Sequence, residues 1–349
     1  MNNILQTQQT SSFLNNQWYV ASSSKDIKKN KVVSKILLGK PILIGRNKFG
    51  RIFAINDNCP HRGTLLSIGR FDGENIECPY HGWRFDTSGQ CTFIPSQLPK
   101  QKPQAADIKT KSYSIKENMG IIWIYISNDN NINPFPSIEH TENKLQLYVK
   151  KIFNCNIDLA VTGLMDPAHG AFVHASSLWR THRDVKEKKK IIKPIKNGWE
   201  IQPHSTSINS KAYKIFLGKE SQTKISYTLP GIRQEFTKTN KYNYLGITAC
   251  TPINEYQTTV HHFMYWDVPG GIVLRNIIRI IANNFLNQDS LAVTWMKKGK
   301  VYSNREILVE DADIQIKWYY KLKKEWQKSC IENREFSNPI QETIAKWKS

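Results

Sequence analysis

The chain has 349 residues, a net charge of +20 and a hydrophobic content of 40%. This length allows two ordinary domains, and the apolar content excludes a disordered or fibrous protein. No uninterrupted apolar run approaches the roughly 18 residues that a membrane-spanning helix needs, and residues 1–20 lack the pattern of a secretion signal. The 6 Cys residues are scattered, which is typical of a reducing compartment. These features predict a cytoplasmic protein without a membrane span.

The positive charge raises the possibility of a nucleic-acid-binding protein. Lys residues are however spread along the whole chain, and the one dense basic run, KEKKK at 186–190, contains no aromatic residue. This run is interpreted as a solvated face or loop, and no nucleic-acid partner is predicted. A basic surface also suits the docking of an acidic electron-carrier protein, because complementary charge speeds encounter.

A small antiparallel β domain is predicted for residues from about 16 to 130. The runs PILIGR, RIFAIND and MGIIWIYI are short, rich in β-branched and aromatic residues, and separated by turn residues. The pair Asp72-Gly73 is a hairpin signal, placed before a short strand that leads to Cys78.

Two loops of this domain each contain one Cys and one His. The motif NCPHRG supplies Cys59 and His61, and CPYHGW supplies Cys78 and His81. Two Cys and two His could bind a zinc ion, but zinc fingers usually pair Cys with Cys and His with His along the chain. Loops that mix the two residue types suit a two-iron cluster in which thiolates hold one iron and imidazoles the other. The four residues therefore predict a Rieske [2Fe-2S] cluster, and the Gly that follows each pair predicts a tight backbone bend.

A second group of metal-ligand residues follows in the stretch GLMDPAHGAFVH. Asp166, His169 and His174 have the spacing D-x2-H-x4-H. Two imidazoles and a carboxylate leave open positions for dioxygen on ferrous iron. Asp166 is expected to accept the outer ring N–H of His169, three residues on. The two His are about 140° apart on a regular helix, so a distortion or a helix end must bring them together. The alternative is a pair of structural His beside a turn.

The third iron ligand must be an acid from elsewhere in the chain. Asp289, in NNFLNQDSLAV, lies between two apolar helical stretches that would hold its carboxylate rigidly over a pocket. Asp311 and Asp313 are competitors, but they are expected near a helix start, where acids complement the helix dipole. Asp289 is therefore favoured.

With both groups of residues in place, the chain resembles the catalytic α subunits of Rieske non-haem iron oxygenases over nearly its whole length. The stretches CPHRGTLLSIGRFDG, CPYHGWRFDTSGQC and LMDPAHGAFVH look most like the homotrimeric branch that includes oxidative demethylases and pheophorbide-type oxygenases. The resemblance implies an α+β fold, with an antiparallel β Rieske domain at 16–137 and a helix-grip catalytic domain at 138–349. It also implies a head-to-tail trimer, in which His81 of one chain hydrogen-bonds Asp166 of its neighbour, which contacts His169.

The predicted activity is that of a Rieske oxygenase, a monooxygenase rather than a dioxygenase. It would use O2 and electrons from an NAD(P)H-dependent reductase or ferredoxin to hydroxylate or oxidatively demethylate a largely apolar, ring-containing small molecule. Electrons would pass through Asp166 to Fe(II) held by His169, His174 and Asp289. The sequence has no G-x-G-x-x-G fingerprint, so the reductase is expected to be a separate chain. The alternative is a Rieske electron-transfer or regulatory protein without a working mononuclear iron site.

The substrate is not specified by the sequence. Segments 204–218 and 248–266 are candidates for the pocket wall, although their alternating pattern with aromatics fits a sheet core equally well. His204, His261 and His262 are expected to be structural or surface residues. A largely apolar, medium-sized molecule is the default for such a pocket.

Overall fold

The computed structural model describes residues 13–127, 132–139, 141–174, 186–205, 221–268, 271–303 and 305–349. Within them, the N-terminal part is built from short antiparallel strands arranged in three sheets. The sheets have the orders β1-β10-β9, β2-β3-β4 and β5-β6-β7-β8. The strands are β1 Gln17–Ser23, β2 Lys31–Leu37, β3 Lys40–Arg46, β4 Ile52–Asn56, β5 Arg70–Phe71, β6 Asn75–Glu77, β7 Arg84–Asp86, β8 Cys91–Phe93, β9 Ile115–Asn118 and β10 Ile121–Ile126.

The local sequence explains the strands around the predicted cluster. β10, IIWIYI, is buried at every position, as its unbroken apolar run predicts. The hairpin between β5 and β6 turns at Asp72-Gly73, where Gly73 has a φ of 101°. The Asp72 carboxylate accepts the backbone N–H groups of Glu74 at 2.8 Å and Asn75 at 2.7 Å. The predicted hairpin is confirmed.

The C-terminal part is an eight-stranded antiparallel sheet with the order β11-β17-β16-β15-β14-β13-β12-β18. The basic run at 186–190 lies mostly in β12, which pairs with β18, so it forms a strand and not a loop. The elements are β11 Leu145–Phe153, α1 Ile157–Met165, α2 Gly170–Val173, β12 Glu187–Ile195, β13 Gly198–Ser205, β14 Ser221–Thr228, β15 Ile232–Thr239, β16 Asn243–Asn254, β17 Gln257–Trp266, α3 Gly271–Lys300, α4 Ile314–Ile331 and β18 Thr343–Lys348.

The two faces of the large sheet pack against different partners. One face, with Ile247 and Phe263, packs on Trp18 and Trp123 of the N-terminal sheets. The opposite face belongs to the core that includes helix residues such as Leu286 of α3. The fold is therefore α+β, as predicted. The predicted division between residues 137 and 138 falls between β10 and β11 and stays a prediction.

Helices α1 and α3 lie against each other on the helical side of the sheet. A Cβ atom added to Gly163 of α1 would come within 2.8 Å of Val293 Cγ2 on α3, so the small residue permits this approach. Asn156 caps the start of α1 by accepting the N–H of Leu159 at 3.0 Å. In the described residues, none of the helices combines the length and the apolar character needed to cross a bilayer.

His261 is a structural histidine, as predicted, and it gives the fold a specific acid sensitivity. It is 3% exposed, and its Nδ1 lies 2.9 Å from the Tyr148 hydroxyl. Burial and the nearby charges of Lys150 and Lys35 lower the pKa of His261 to about 3. Between this value and the pKa of about 6.5 in the unfolded chain, the unfolded state binds the proton and the folded state does not. Stability is therefore fully present above pH 6.5 and is lost as the pH falls towards 3.

We expect His261→Gln to reduce this acid sensitivity. In the wild type the free energy of unfolding falls by up to about 1.4 kcal/mol per pH unit for this one site. The variant lacks that contribution, although its absolute stability is lower because a buried side chain has changed. The measurement is the urea concentration at the midpoint of unfolding, determined for the wild type and the variant at several pH values between 5.5 and 7.5. Parallel pH dependences of the variant and the wild type would contradict the assignment.

Candidate functional site

The two Cys/His loops have the same backbone design. The carbonyl oxygen of Cys59 accepts the N–H of Gly63 at 2.8 Å, and that of Cys78 accepts the N–H of Gly82 at 3.0 Å. Both glycines have left-handed φ angles, 77° and 70°, which other residues rarely adopt. The predicted tight bend after each Cys/His pair is therefore confirmed.

The loops place the thiols inside the protein and the imidazoles nearer to its surface. Cys59 is 2% and Cys78 is 3% exposed, and Cys78 lies close enough to influence the pKa of the Cys59 thiol. The rings of His61 and His81 are 4.6 Å apart. Burial, with a further contribution from Cys78, raises the pKa of the Cys59 thiol to about 11. Two buried thiols beside paired imidazoles fit the ligand set of a Rieske cluster, whose positive irons stabilise the thiolates.

Aromatic rings cover both imidazoles. Trp83 stacks on His61 with a centroid distance of 4.4 Å and an interplanar angle of 3°, and Tyr80 covers His81 at 3.8 Å. The Trp83 indole N–H is buried and has no partner among the described residues. These contacts restrict the rotation of both imidazoles, so the nitrogen atoms are held in place before any metal binds.

His169, His174 and Asp289 converge in a second buried site. The Nε2 atoms of the two His lie 3.3 Å apart, and Asp289 Oδ1 is 3.5 Å from the first and 3.0 Å from the second. His174 is 6% and Asp289 is 8% exposed. The two His flank the single-turn helix α2, and Asp289 projects from within α3. Two ring nitrogens and a carboxylate oxygen that meet in this way fit a metal cation.

The charges in this site support one another. Burial disfavours the charged form of His169, but the hydrogen bond and charge of Asp289, together with Asp166, outweigh it and raise its pKa. Burial likewise acts against the Asp289 carboxylate, but His169 and His174 lower its pKa. The carboxylate is thus held ionised, which is the form that binds a metal.

Comparisons with known proteins agree with the Cys/His loops and with the overall fold. The model of the Rieske [2Fe-2S] domain matches residues 17–113, which include both Cys/His loops. The crystal structure of dicamba monooxygenase bound to dicamba superimposes with a TM-score of 0.73 and covers 92% of this chain and 99% of that one, at 21% sequence identity. The chain therefore contains a Rieske [2Fe-2S] domain, and its fold is similar to that of dicamba monooxygenase.

Two curated relatives match the chain in part. The iron-sulfur subunit of a toluene-4-sulfonate monooxygenase system from Comamonas testosteroni is 34% identical over 170 residues, 48% of each chain. A 4beta-methylsterol monooxygenase from Methylococcus capsulatus is 36% identical over 110 residues, 32% of this chain and 30% of the relative. The matches thus span about half or less of these curated relatives.

The predicted contact between Asp166 and His169 is not a hydrogen bond in this structure. Asp166 Oδ2 lies 3.9 Å from His169 Nδ1, and that nitrogen is buried with no partner in the described part of the chain. The reason is Pro167, because the residue before a proline avoids helical angles. Helix α1 therefore ends, Asp166 adopts a ψ of 115°, and its Oδ1 accepts the N–H of Ala168 at 2.7 Å. The predicted role of Asp166 stays a prediction.

The competing acids lie elsewhere, as predicted, near the start of α4. Asp313 Oδ2 accepts the backbone N–H of Val309 at 2.6 Å. Asp311 Oδ2 accepts that of Lys346 at 2.9 Å. Of the three acids, Asp289 is the one that the structure brings to the two His.

Gln288 is a site residue that sequence reasoning missed. Its Oε1 lies 2.9 Å from His174 Nδ1, and Phe285 stacks on the same imidazole with a centroid distance of 4.1 Å. When His174 donates its Nδ1–H to Gln288, the lone pair of Nε2 is free to bind a metal. The sequence did contain a signal for this residue. Gln288 directly precedes the favoured acid Asp289, and Phe285 lies one helical turn before Asp289.

We expect Gln288→Leu to weaken iron binding at the second site by about tenfold, because an outer hydrogen bond orients the ligand and sets its tautomer. Gln288→Glu keeps an acceptor and is expected to restore most of the affinity. The measurement is a titration of ferrous iron into protein that retains its cluster. Asn287→Leu changes the exposed neighbouring residue and is the matched control. Equal iron affinity in Gln288→Leu and the wild type would contradict the positioning role.

Proposed function

We propose that this chain is the catalytic subunit of a Rieske oxygenase that hydroxylates or oxidatively demethylates a largely apolar, ring-containing small molecule. It would use O2 and electrons from a separate NAD(P)H-dependent reductase or ferredoxin. The observation that carries the proposal is the buried convergence of His169, His174 and Asp289 in a chain that also contains a Rieske domain. Monooxygenation is favoured over dioxygenation because both curated relatives are named as monooxygenase components.

The proposal assigns the cluster to Cys59, His61, Cys78 and His81. When bound, the cluster carries one electron at a time, and the mononuclear Fe(II) supplies the chemistry of dioxygen activation. The buried thiols keep water from one end of the cluster. The exposed ring of His61 and the half-buried ring of His81 form the end at which electrons can enter or leave.

The residues of the mononuclear site have distinct roles in the proposal. His169 and His174 donate neutral ring nitrogens, and Asp289 supplies the one negative charge. His169 and His174 flank one short helix and Asp289 lies on one long one, and these three residues would hold an iron that supplies the chemistry of dioxygen activation. Asp166 would connect His169 to an electron donor that approaches from outside the subunit.

A head-to-tail homotrimer is part of the proposal, with His81 of one chain against Asp166 of the next. Exposed apolar side chains beside the cluster support a protein contact there, since such side chains are usually covered. Leu65, Ile68 and Tyr80 are 38%, 68% and 58% exposed. The division into domains at 16–137 and 138–349 and the cytoplasmic location also belong to this proposal.

An electron-transfer or regulatory protein without a second iron is the competing function. Such a protein has no need of a buried set of metal ligands. His174 and Asp289 are nearly inaccessible, and an inward-facing carboxylate is costly to bury unless it is paired or binds a cation. The buried site therefore favours the oxygenase.

The test is the iron and acid-labile sulfide content of anaerobically purified protein, followed by turnover. An oxygenase contains about three iron atoms for two sulfides, two iron atoms in the cluster and one in the second site. With a ring-containing substrate, NADH oxidation is expected to require an added reductase. A ratio of about two to two after iron reconstitution would support the electron carrier. Zinc without sulfide would remove the Rieske assignment, and steady turnover without a reductase would contradict the separate electron donor.

A further inference from the structure

The first Cys/His loop is preceded by a fully buried acid. Asp57 is 0% exposed and lies two residues before Cys59. Two residues span at most about 7 Å of chain, so the acid is a close neighbour of the first cluster loop. Its surroundings are apolar, because Ile55 and Leu66 belong to the same core as Cys59. A carboxylate buried in this way is costly unless its oxygen atoms are hydrogen-bonded.

Three hydrogen bonds satisfy the side chain of Asp57. Its Oδ1 accepts the backbone N–H of Ser67 at 2.7 Å. Its Oδ2 accepts the hydroxyl of Ser67 at 2.7 Å and the hydroxyl of Ser34 at 2.6 Å. All three donors are uncharged, and an ionised carboxylate, which only accepts hydrogen bonds, fits them. The described part of the Rieske domain thus holds a buried negative charge without a counter-charge in hydrogen-bond contact.

The backbone of Asp57 ties the same loop to the strand beneath it. Its N–H donates to the carbonyl oxygen of Pro41 on β3 at 3.0 Å, and its carbonyl oxygen accepts the N–H of Leu66 at 2.6 Å. Together with the side-chain bonds to Ser67, these contacts fix both ends of the segment 57–67, which contains the Cys and the His of the first loop. The charge is therefore held at a constant position relative to these two residues.

The second loop is preceded by an acid of a different kind. Glu77 comes directly before Cys78, but its carboxylate pairs with Arg84 at 2.8 Å. The two side chains are 29% and 48% exposed, so solvent also screens their charges. Arg62, the basic residue of the first loop, is exposed as well. Of these charges, that of Asp57 is the one that neither solvent nor an ion pair offsets.

We propose that the buried charge of Asp57 lowers the reduction potential of the Rieske cluster. This inference rests on the proposed function, because it takes Cys59, His61, Cys78 and His81 to hold the cluster. Reduction adds one electron, and therefore one negative charge, to the cluster. A fixed negative charge nearby disfavours the reduced form, and its effect is larger where solvent is excluded. Asp57 thereby makes the reduced cluster a stronger electron donor.

The test is a redox titration of the purified holoprotein with dithionite and mediators at pH 7, followed by the visible spectrum of the cluster. Asp57→Asn keeps the size of the side chain and one acceptor oxygen, and the hydroxyls of Ser34 and Ser67 can rotate to accept from the new amide. At a fixed solution potential the ratio of reduced to oxidised cluster should rise about tenfold, an upward shift of about 59 mV for a one-electron couple. The electron paramagnetic resonance spectrum of the reduced cluster should keep its wild-type g values, because the ligands are unchanged.

Asp86→Asn is the matched control for the loss of charge. Asp86 also accepts one hydroxyl and backbone N–H groups, from Ser88 and Gln90, but it is half-buried at a turn. Its replacement should change the ratio less than about twofold, because solvent screens its charge. Ser34→Ala separates the charge from the anchoring of the loop, since it removes one hydrogen bond and keeps the carboxylate. Its potential should stay equal to that of the wild type or fall, because the remaining charge is less well compensated.

Two results would overturn the inference. One is a potential of Asp57→Asn that is equal to or below that of the wild type. The other is a rise in the potential of Ser34→Ala, which would assign the effect to a loosened loop. If Asp57→Asn binds no cluster, the Ser34→Ala titration decides: an equal or lower potential supports the inference, and a higher one contradicts it. Failure of the proposed function would be seen separately, because a missing second iron changes the iron-to-sulfide ratio and leaves the potential of the cluster measurable.

Discussion

Asp289→Ala is expected to abolish product formation and to leave the visible spectrum of the cluster intact. The substitution removes the only carboxylate oxygen among the three ligand atoms brought together in the described residues. The two imidazoles that remain are neutral ligands and cannot balance the charge of a divalent ion in a buried site. The variant should therefore lose the third iron, with about two iron and two sulfide per chain remaining.

Two measurements separate this result from a general loss of folding. The cluster spectrum reports the Rieske domain, and the unfolding midpoint reports the whole chain. Asp313→Ala is the matched control, since it removes an acid of the competing pair near α4 and should retain iron and activity. Product formation by Asp289→Ala at the wild-type rate would show that another acid completes the site.

The cluster ligands could be predicted from the sequence because they are local. Cys59 and His61 are two residues apart, and the geometry of the loop is fixed by Gly63 and by one backbone hydrogen bond. The spacing of Cys and His within one loop is therefore enough to predict the ligands that this loop contributes to the cluster. The prediction that two such loops share one metal centre needed only the match between their donor sets.

The second site was predicted less completely because it depends on where helices end. The spacing of Asp166 and His169 suggested neighbours on one helix, whereas Pro167 ends α1 between them and leaves their side chains 3.9 Å apart. Gln288 is 114 residues from His174, and no local pattern reports such a contact. The ion pair of Arg233 with Glu235 follows strand alternation, but the row that places Arg233 between Tyr227 and Thr248 requires the register of the strands.

The prediction of the pocket wall was also incomplete, because it too depends on contacts that are distant in the sequence. Segment 248–266 was a candidate wall, and the structure places Thr248 at a small cavity between α1 and the large sheet, with its hydroxyl 2.8 Å from Nδ1 of His262. His262 is thus a structural residue on the helical face of the sheet, and its sequence context did not distinguish it from His261 on the opposite face. The other candidate segment, 204–218, lies outside the described residues from 206 onwards.

Asp166→Asn is expected to slow turnover by about 100-fold while the iron and sulfide contents stay at the wild-type level. The amide keeps the oxygen that accepts the Ala168 N–H, so the turn after α1 is preserved. It removes the negative charge 3.9 Å from His169 Nδ1, a nitrogen that has no hydrogen-bond partner in the described residues. The loss should therefore fall on electron transfer between the two sites and not on metal binding.

Single-turnover kinetics give the decisive measurement for Asp166. Protein with a chemically reduced cluster is mixed with O2 and substrate, and the return of the oxidised spectrum is followed. The rate should fall in Asp166→Asn and stay unchanged in Asp267→Asn, a matched control in which a carboxylate at a strand end is altered. Because Asp166 is expected to act on the cluster of a neighbouring chain, dissociated monomers of the wild type should show the same slow rate. A fast rate in Asp166→Asn, or in isolated wild-type monomers, would mean that electrons reach the iron by another route, within one chain.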